Sequence, residues 1–249
     1  MELVDTLVLE ASTSVCEFES RLGHQNYGVE ASMVMQWTVN PPPSGTPGSI
    51  PGYSTKQKES IMKILPFPEQ DMDYLQRCAD VVQDHEINMT EEKLFDLMKI
   101  KHRWPKGSVE VINQAARSSD RFYCEERFLI FNEWKRLYDM GFTSILCNVL
   151  DLTQELRDLD EKLLAIKGSY TNANFYLTNG ASNHRVSFPQ HKHDYHVVVK
   201  GLYGTTTWQI NDKIITLNAG DVFVLPVDTP HAVIDTPEPR LTLTINVSG

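Results

Sequence analysis

From Pro68 onward the apolar positions recur at helical spacing: Met72, Leu75, Ala79 and Val82 fall on one face, and the pattern ends near His85. A second helix is predicted from Thr90, an N-cap candidate, through Leu94, Leu97, Met98 and Lys101, until Trp104-Pro105 stops it. Residues 127 to 138 fit either period. Thr143 to Val149 reads as a buried strand, and Asp151 to Gln154 as a capping box that opens a helix with Leu156, Leu159, Leu163 and Ile166 inward.

After Gly168 the texture changes to short β-rich runs separated by turn residues. They are Ala173 to Thr178, His193 to Lys200, Thr205 to Ile210, Lys213 to Leu217, Val222 to Leu225, His231 to Ile234 and Leu241 to Val247. Strands recurring at such short spacing, joined by Asn211-Asp212 and Asn218-Ala219-Gly220-Asp221, predict a sandwich or barrel. The Pro/Gly/Ser-rich stretch Asn40 to Tyr53 holds neither a helix nor a central strand. Three segments are therefore expected: a poorly ordered arm and linker over 1–55, a helical region over 60–168, and a β core over 169–249. Thr13 to Gln25 resembles the 3′ half of a transfer-RNA gene read as protein, which would move the start to Met33, Met35 or Met62; the other reading is a short disordered arm.

A net charge of −10 argues against a nucleic-acid backbone or an anionic membrane as the main partner, since both select clustered Lys and Arg. No run is long and apolar enough for a membrane span, and no secretory leader is recognisable. Cys16, Cys78, Cys124 and Cys147 show no metal-binding spacing and read as reduced thiols of a cytoplasmic protein.

The stretch Gln190-His191-Lys192-His193-Asp194-Tyr195-His196 carries the chemistry, because residues two apart on a strand face the same way and can share one ion. His191 and His193 satisfy that spacing. His231, after Pro226-Val227-Asp228-Thr229-Pro230, would return from a distant strand as the third metal ligand.

With these residues in place, Asn172 to Gly249 resembles the JmjC-type, cupin-like Fe(II)/2-oxoglutarate oxygenases. The resemblance is carried by Asn174 to Thr178, by Val197-Val198-Val199 with Gly204 and Trp208, by Ala219 to Pro226 leading to His231, and by Leu241 to Asn246 as closing strand. It implies a mainly β fold with a helical N-terminal part, a double-stranded β-helix of the cupin/jelly-roll kind. It also implies Fe(II), with Mn, Ni or Zn as alternatives, and 2-oxoglutarate as cosubstrate in the hydroxylation of a protein or small-molecule substrate. The helical region is a candidate homodimer surface.

Two departures from that family shape the expectations. Its usual first ligand pair is His-x-Asp, whereas here it is His-x-His with Asp194 one step later, so either His193 or a bulged Asp194 would ligate. Three imidazoles leave the site one charge more positive, which alters metal preference. The second departure is Thr206, which stands where the family places a Lys or Arg for the far carboxylate of 2-oxoglutarate. Leaving that carboxylate buried and unpaired would cost roughly 2–5 kcal/mol, so another cation is required. Arg240 is the first candidate and Lys200 the second, with Thr206 able to donate one hydrogen bond, Tyr176 a further contact, and Asn246 orienting ligands beside the metal. Arg240, Thr242, Thr244 and Asn246 share one face of the last strand, polar where a barrel interior would be apolar. Two rivals stand beside the oxygenase: a three-His cupin dioxygenase or isomerase that binds its substrate without 2-oxoglutarate, and a non-catalytic cupin that binds a small molecule or partner.

Overall fold

The computed structural model describes residues 69–113, 116–117, 122–123, 127–166, 170–180 and 188–248. The proline-rich stretch, the segment resembling a transfer-RNA gene and the candidate starts lie outside them. Two helices come first, α1 (Glu69–Asp84) and α2 (Glu91–Met98). Leu75, Ala79 and Val82 are buried along α1. Thr90 caps α2 as expected, its side chain accepting the Lys93 amide hydrogen at 3.2 Å.

Next come β1 (Val109–Asn113), β2 (Ala116–Arg117), α3 (Phe131–Asp139), β3 (Thr143–Leu146) and α4 (Gln154–Leu164). The ambiguous stretch before Tyr138 thus resolves as α3, whose Trp134 and Tyr138 sit one turn apart and are buried. The cap of α4 is a correction. Val149–Asp151 form a short 3-10 turn, so the first free amide groups of the helix fall to Thr153, whose side chain accepts from Leu156 at 3.3 Å.

Seven further strands follow: β4 (Tyr170–Thr178), β5 (His196–Tyr203), β6 (Thr206–Ile210), β7 (Lys213–Leu217), β8 (Val222–Leu225), β9 (His231–Asp235) and β10 (Arg240–Ser248). One sheet runs β2-β1-β3-β4-β10-β5-β8 and a second β7-β6-β9, every pairing antiparallel. The fold is mainly β, with helices preceding it.

Period-two alternation sorts the side chains into two layers. Val197, Val199, Trp208, Ile210, Phe223 and Leu225 fill the space between the sheets. The other face of the large sheet carries Leu241, Leu243, Ile245, Val247, Phe175 and Val198 into one core with Leu75, Val82, Leu94, Trp134 and Leu159. Helical and β segments therefore bury their apolar surface against each other.

Lys200 belongs to that outer layer. Its ammonium is buried under the end of α1 and donates to the carbonyls of Val82 (2.7 Å) and His85 (2.6 Å), so it caps a helix. Burial lowers its pKa, opposed by the charges of Asp84 and Glu86.

The cysteine expectation also needs correction. Cys78 is a free buried thiol whose pKa burial raises to about 11, but Cys147 is disulfide-bonded, its partner lying outside the described residues. No spacing motif in the sequence announces such a bridge. Among the described residues, no helix is long and apolar enough to cross a membrane.

Candidate metal centre

His231 opens β9, and its main chain forms an isolated antiparallel bridge with His191, with amide-to-carbonyl distances of 3.0 and 2.8 Å. That bridge, rather than a continuous strand, places His191. The regular ladder of β5 starts only at His196, because residues 192–195 turn away after the bridge. His193 is held instead through its carbonyl, which accepts from the Asp228 amide at 2.7 Å, and by its ring stacking on Tyr195 at 4.7 Å. Asp228 adopts a left-handed backbone (φ 58) to make that contact.

The three imidazoles converge. One donor nitrogen from each of His191, His193 and His231 lies within 4.8 Å of the others. Nδ1 of His231 faces the Thr229 carbonyl at 2.9 Å and Nδ1 of His191 faces the Pro189 carbonyl at 3.0 Å. Both contacts suit an N–H at Nδ1 and leave Nε2 with its lone pair free, the arrangement that backbone carbonyls impose on metal-binding histidines. The donor set fits a divalent transition metal. Asp194 is exposed and outside the cluster, so the alternative ligand stays apart.

Burial is the main reason the ring pKa values fall, to about 4 for His193 and His231, with His191 lowered as well. The rings are neutral, as ligands must be. Since the folded values lie below that of a free imidazole, the unfolded chain takes up protons first. The metal-free protein should therefore lose stability as pH falls from about 6.5 toward 4. Urea midpoints measured across that window should drop in the native chain and drop less in a His193→Ala/His231→Ala variant; equal slopes would refute the assignment.

The imidazoles line a largely enclosed cavity of about 80 Å³ together with Tyr176, Phe188, Val197, Val199, Trp208, Leu225, Val233, Thr143, Thr244 and Arg240. Among the described residues, no carboxylate lines it. A wider, open hollow of about 430 Å³ beside α4 carries Asp151, Asp160 and Glu161, with no histidine among its described lining residues. The enclosed cavity is the candidate site.

Arg240 is 1% exposed, and among the described residues no carboxylate forms an ion pair with it. Its Nη1 donates to the Thr242 hydroxyl at 2.9 Å and the Tyr176 carbonyl at 3.3 Å, while Nε has no partner. Burial lowers its pKa to about 10, which still leaves it charged at neutral pH.

The remaining expectations divide. Tyr176 lines the cavity. Thr206 is buried on the Trp208 side of β6 but is not among the lining residues. Asn246 lies two residues beyond Thr244, half-buried and outside the cavity lining, because the strand rises about 3.4 Å per residue and carries it past the cavity. Lys200 faces away, since Val197 and Val199 take the inward positions of β5 and parity sends Val198 and Lys200 outward. Thr143, Phe188 and the apolar walls were not anticipated.

Comparison with known proteins bears on the β half. Residues 175–249 match the model of the AraC-like ligand binding domain. No curated protein sequence matches. Similar solved structures include a conserved protein of unknown function from Streptococcus pyogenes (18% identity, TM-score 0.28, covering 32% of this chain and 65% of that one). Another is YcfD, a ribosomal oxygenase from Escherichia coli in complex with cobalt and succinic acid (9% identity, TM-score 0.48, covering 67% and 45%). A third is a cupin superfamily protein from Desulfitobacterium hafniense (15% identity, TM-score 0.28, covering 32% and 68%). The chain thus spans less than two thirds of the length of the first two. Two facing antiparallel sheets, a histidine cluster between them and the domain match over 175–249 together give this chain a cupin-like fold.

Proposed function

We propose that the protein is a non-haem Fe(II) oxygenase that uses 2-oxoglutarate to hydroxylate a protein or small-molecule substrate. The observation that carries this reading is the sharing of one largely enclosed cavity by three converging imidazoles and a buried arginine that has no acidic partner among the described residues. His191, His193 and His231 would hold the metal. Fe(II) bound there would supply dioxygen activation, with the 2-oxo acid as electron donor. Mn, Ni or Zn would also suit the donor set.

The chain's own residues divide the remaining work. Arg240 offers a planar guanidinium to the far carboxylate of the cosubstrate, in the role left vacant at Thr206. Phe188, Val197, Val199, Trp208 and Leu225 keep bulk water from the ligand, and Tyr176, Thr143 and Thr244 supply polar edges. Exclusion of water strengthens the attraction between guanidinium and carboxylate.

A three-His cupin that binds an anionic substrate directly is the second reading. Its support is that no carboxylate stands among the described residues of the cavity lining, which would leave a metal-loaded site unusually positive. Calorimetric titration of the anaerobic Fe(II)-loaded protein with 2-oxoglutarate separates the readings. Saturable binding is expected, weakened at least thirtyfold in Arg240→Ala, on the order of 2 kcal/mol for a broken buried charge pair, and lost in His193→Ala. Metal binding without 2-oxoglutarate binding would transfer the assignment to the second reading; binding of neither would leave a non-catalytic cupin.

A further inference from the structure

The three imidazoles are not oriented in the same way. A backbone carbonyl meets Nδ1 in two of them, that of Thr229 for His231 and that of Pro189 for His191. Among the described residues, no hydrogen-bond partner faces the ring of His193. Its ring contacts are aromatic: His191 at 5.0 Å and 81°, His231 at 5.2 Å and 47°, and Tyr195 at 4.7 Å and 14°. The first two belong to the trio itself, so the near-parallel stack on Tyr195 is the contact that comes from outside it. Tyr195 is a fixed platform. It is half-buried and packs against the inner apolar layer of Val197, Trp208 and Leu225. Its hydroxyl makes no hydrogen bond among the described residues, so what it offers His193 is the face of its ring.

We propose that Tyr195 is a positioning residue that sets the plane of the His193 ring, in place of the backbone carbonyl that orients each of the other two ligands. An outer contact matters to a metal-binding histidine because a ring free to turn must be stopped before its lone pair meets the ion. A face-to-face stack stops that rotation. It does not select the tautomer as a carbonyl at Nδ1 does, so the proton of His193 settles on whichever nitrogen the metal leaves. The ligand thus keeps a fixed direction although it precedes the regular ladder of β5. This inference rests on the metal role of the trio and is independent of 2-oxoglutarate.

Calorimetric titration of the full chain with Ni(II) tests it, since nitrogen donors bind that ion more tightly than Fe(II). Tyr195→Phe keeps the stacking face and should keep the native affinity. Tyr195→Leu keeps an apolar side chain on the inner layer but removes the face, and should weaken Ni(II) about tenfold, the lower end of what losing an outer contact costs. Tyr195→Met takes its place should the Leu variant fail to fold. In a His193→Ala background, where two imidazoles remain, the same Tyr195→Leu change should have no further effect. A general loosening of the site would weaken both backgrounds alike.

The stack also has a signature in the metal-free chain. The Tyr195 ring current should move the carbon-bound ring protons of His193 upfield in proton magnetic resonance, a shift kept in Tyr195→Phe and lost in Tyr195→Leu. Four results would overturn the positioning role while leaving the metal centre standing: native affinity in Tyr195→Leu, an equal loss in Tyr195→Phe, a further fall in the His193→Ala background, or no upfield shift. A native chain that takes up no Ni(II) would overturn it together with the metal assignment.

Discussion

Alanine in place of His231 should abolish stoichiometric metal binding while leaving the fold intact. The ring and the main chain of this residue do separate things. The bridge to His191 runs through amide and carbonyl groups at 3.0 and 2.8 Å, which alanine keeps. The ring occupies the most buried place in the trio, and with it go one ligand and the contact to Thr229. Loss of an outer partner of a metal-binding histidine already costs about 10–100-fold in affinity, so loss of the ligand itself should exceed about 100-fold. Metal content after dialysis, set beside far-ultraviolet dichroism, checks both halves. A folded His231→Ala variant with native metal content would remove the histidine cluster from any metal role.

Gly204→Ala should be the most damaging small change to stability. Gly204 turns the chain from β5 to β6 at φ +70, a left-handed conformation that costs an L-residue roughly 1–2 kcal/mol. A Cβ there would also lie 2.1 Å from the Pro239 carbonyl oxygen and 2.8 Å from Arg240 Cα, main-chain atoms that no rotamer change can move. Relief requires shifting the start of β10, so the expected loss is about 3 kcal/mol or more. Gly220 is the internal control: its φ is +87, but nothing lies within 4 Å of a Cβ there. Gly220→Ala should therefore show dihedral strain alone. Urea midpoints that fall equally for both variants would dismiss the steric argument.

How far the sequence carried depended on whether a feature is written in local alternation. Lys213 to Leu217 and Val222 to Leu225 were bounded to the residue, because turn residues flank short alternating or apolar runs. The polar row of the last strand was legible for the same reason: Arg240, Thr242 and Thr244 alternate with Leu241, Leu243 and Ile245, and both sets lie where parity puts them. Lys200 was misplaced because Val197, Val198 and Val199 are apolar on both faces, so the run does not say which side looks at the cavity.

β1 escaped notice because its burial comes from pairing with β3, four residues against four, and not from a strong pattern of its own. α3 starts at Phe131 with no side-chain cap, which removes the usual start signal. The spacing of His191 and His193 brought forward two residues that the structure does bring together, but by an incomplete route. They meet through a bridge and a turn pinned at Asp228, and neither is visible until β9 folds back.

β10 divides its two faces between two tasks. Its odd-numbered residues from Leu241 to Val247 hold the helical layer, and its even-numbered residues from Arg240 to Thr244 face the cavity side. A substitution at one of the even positions can alter what the cavity accepts without thinning the core beneath it. A slip of one residue would exchange the two rows and destroy both. Under the function proposed above, single substitutions along one strand would change ligand preference, while a change in the register of that strand would cost the fold.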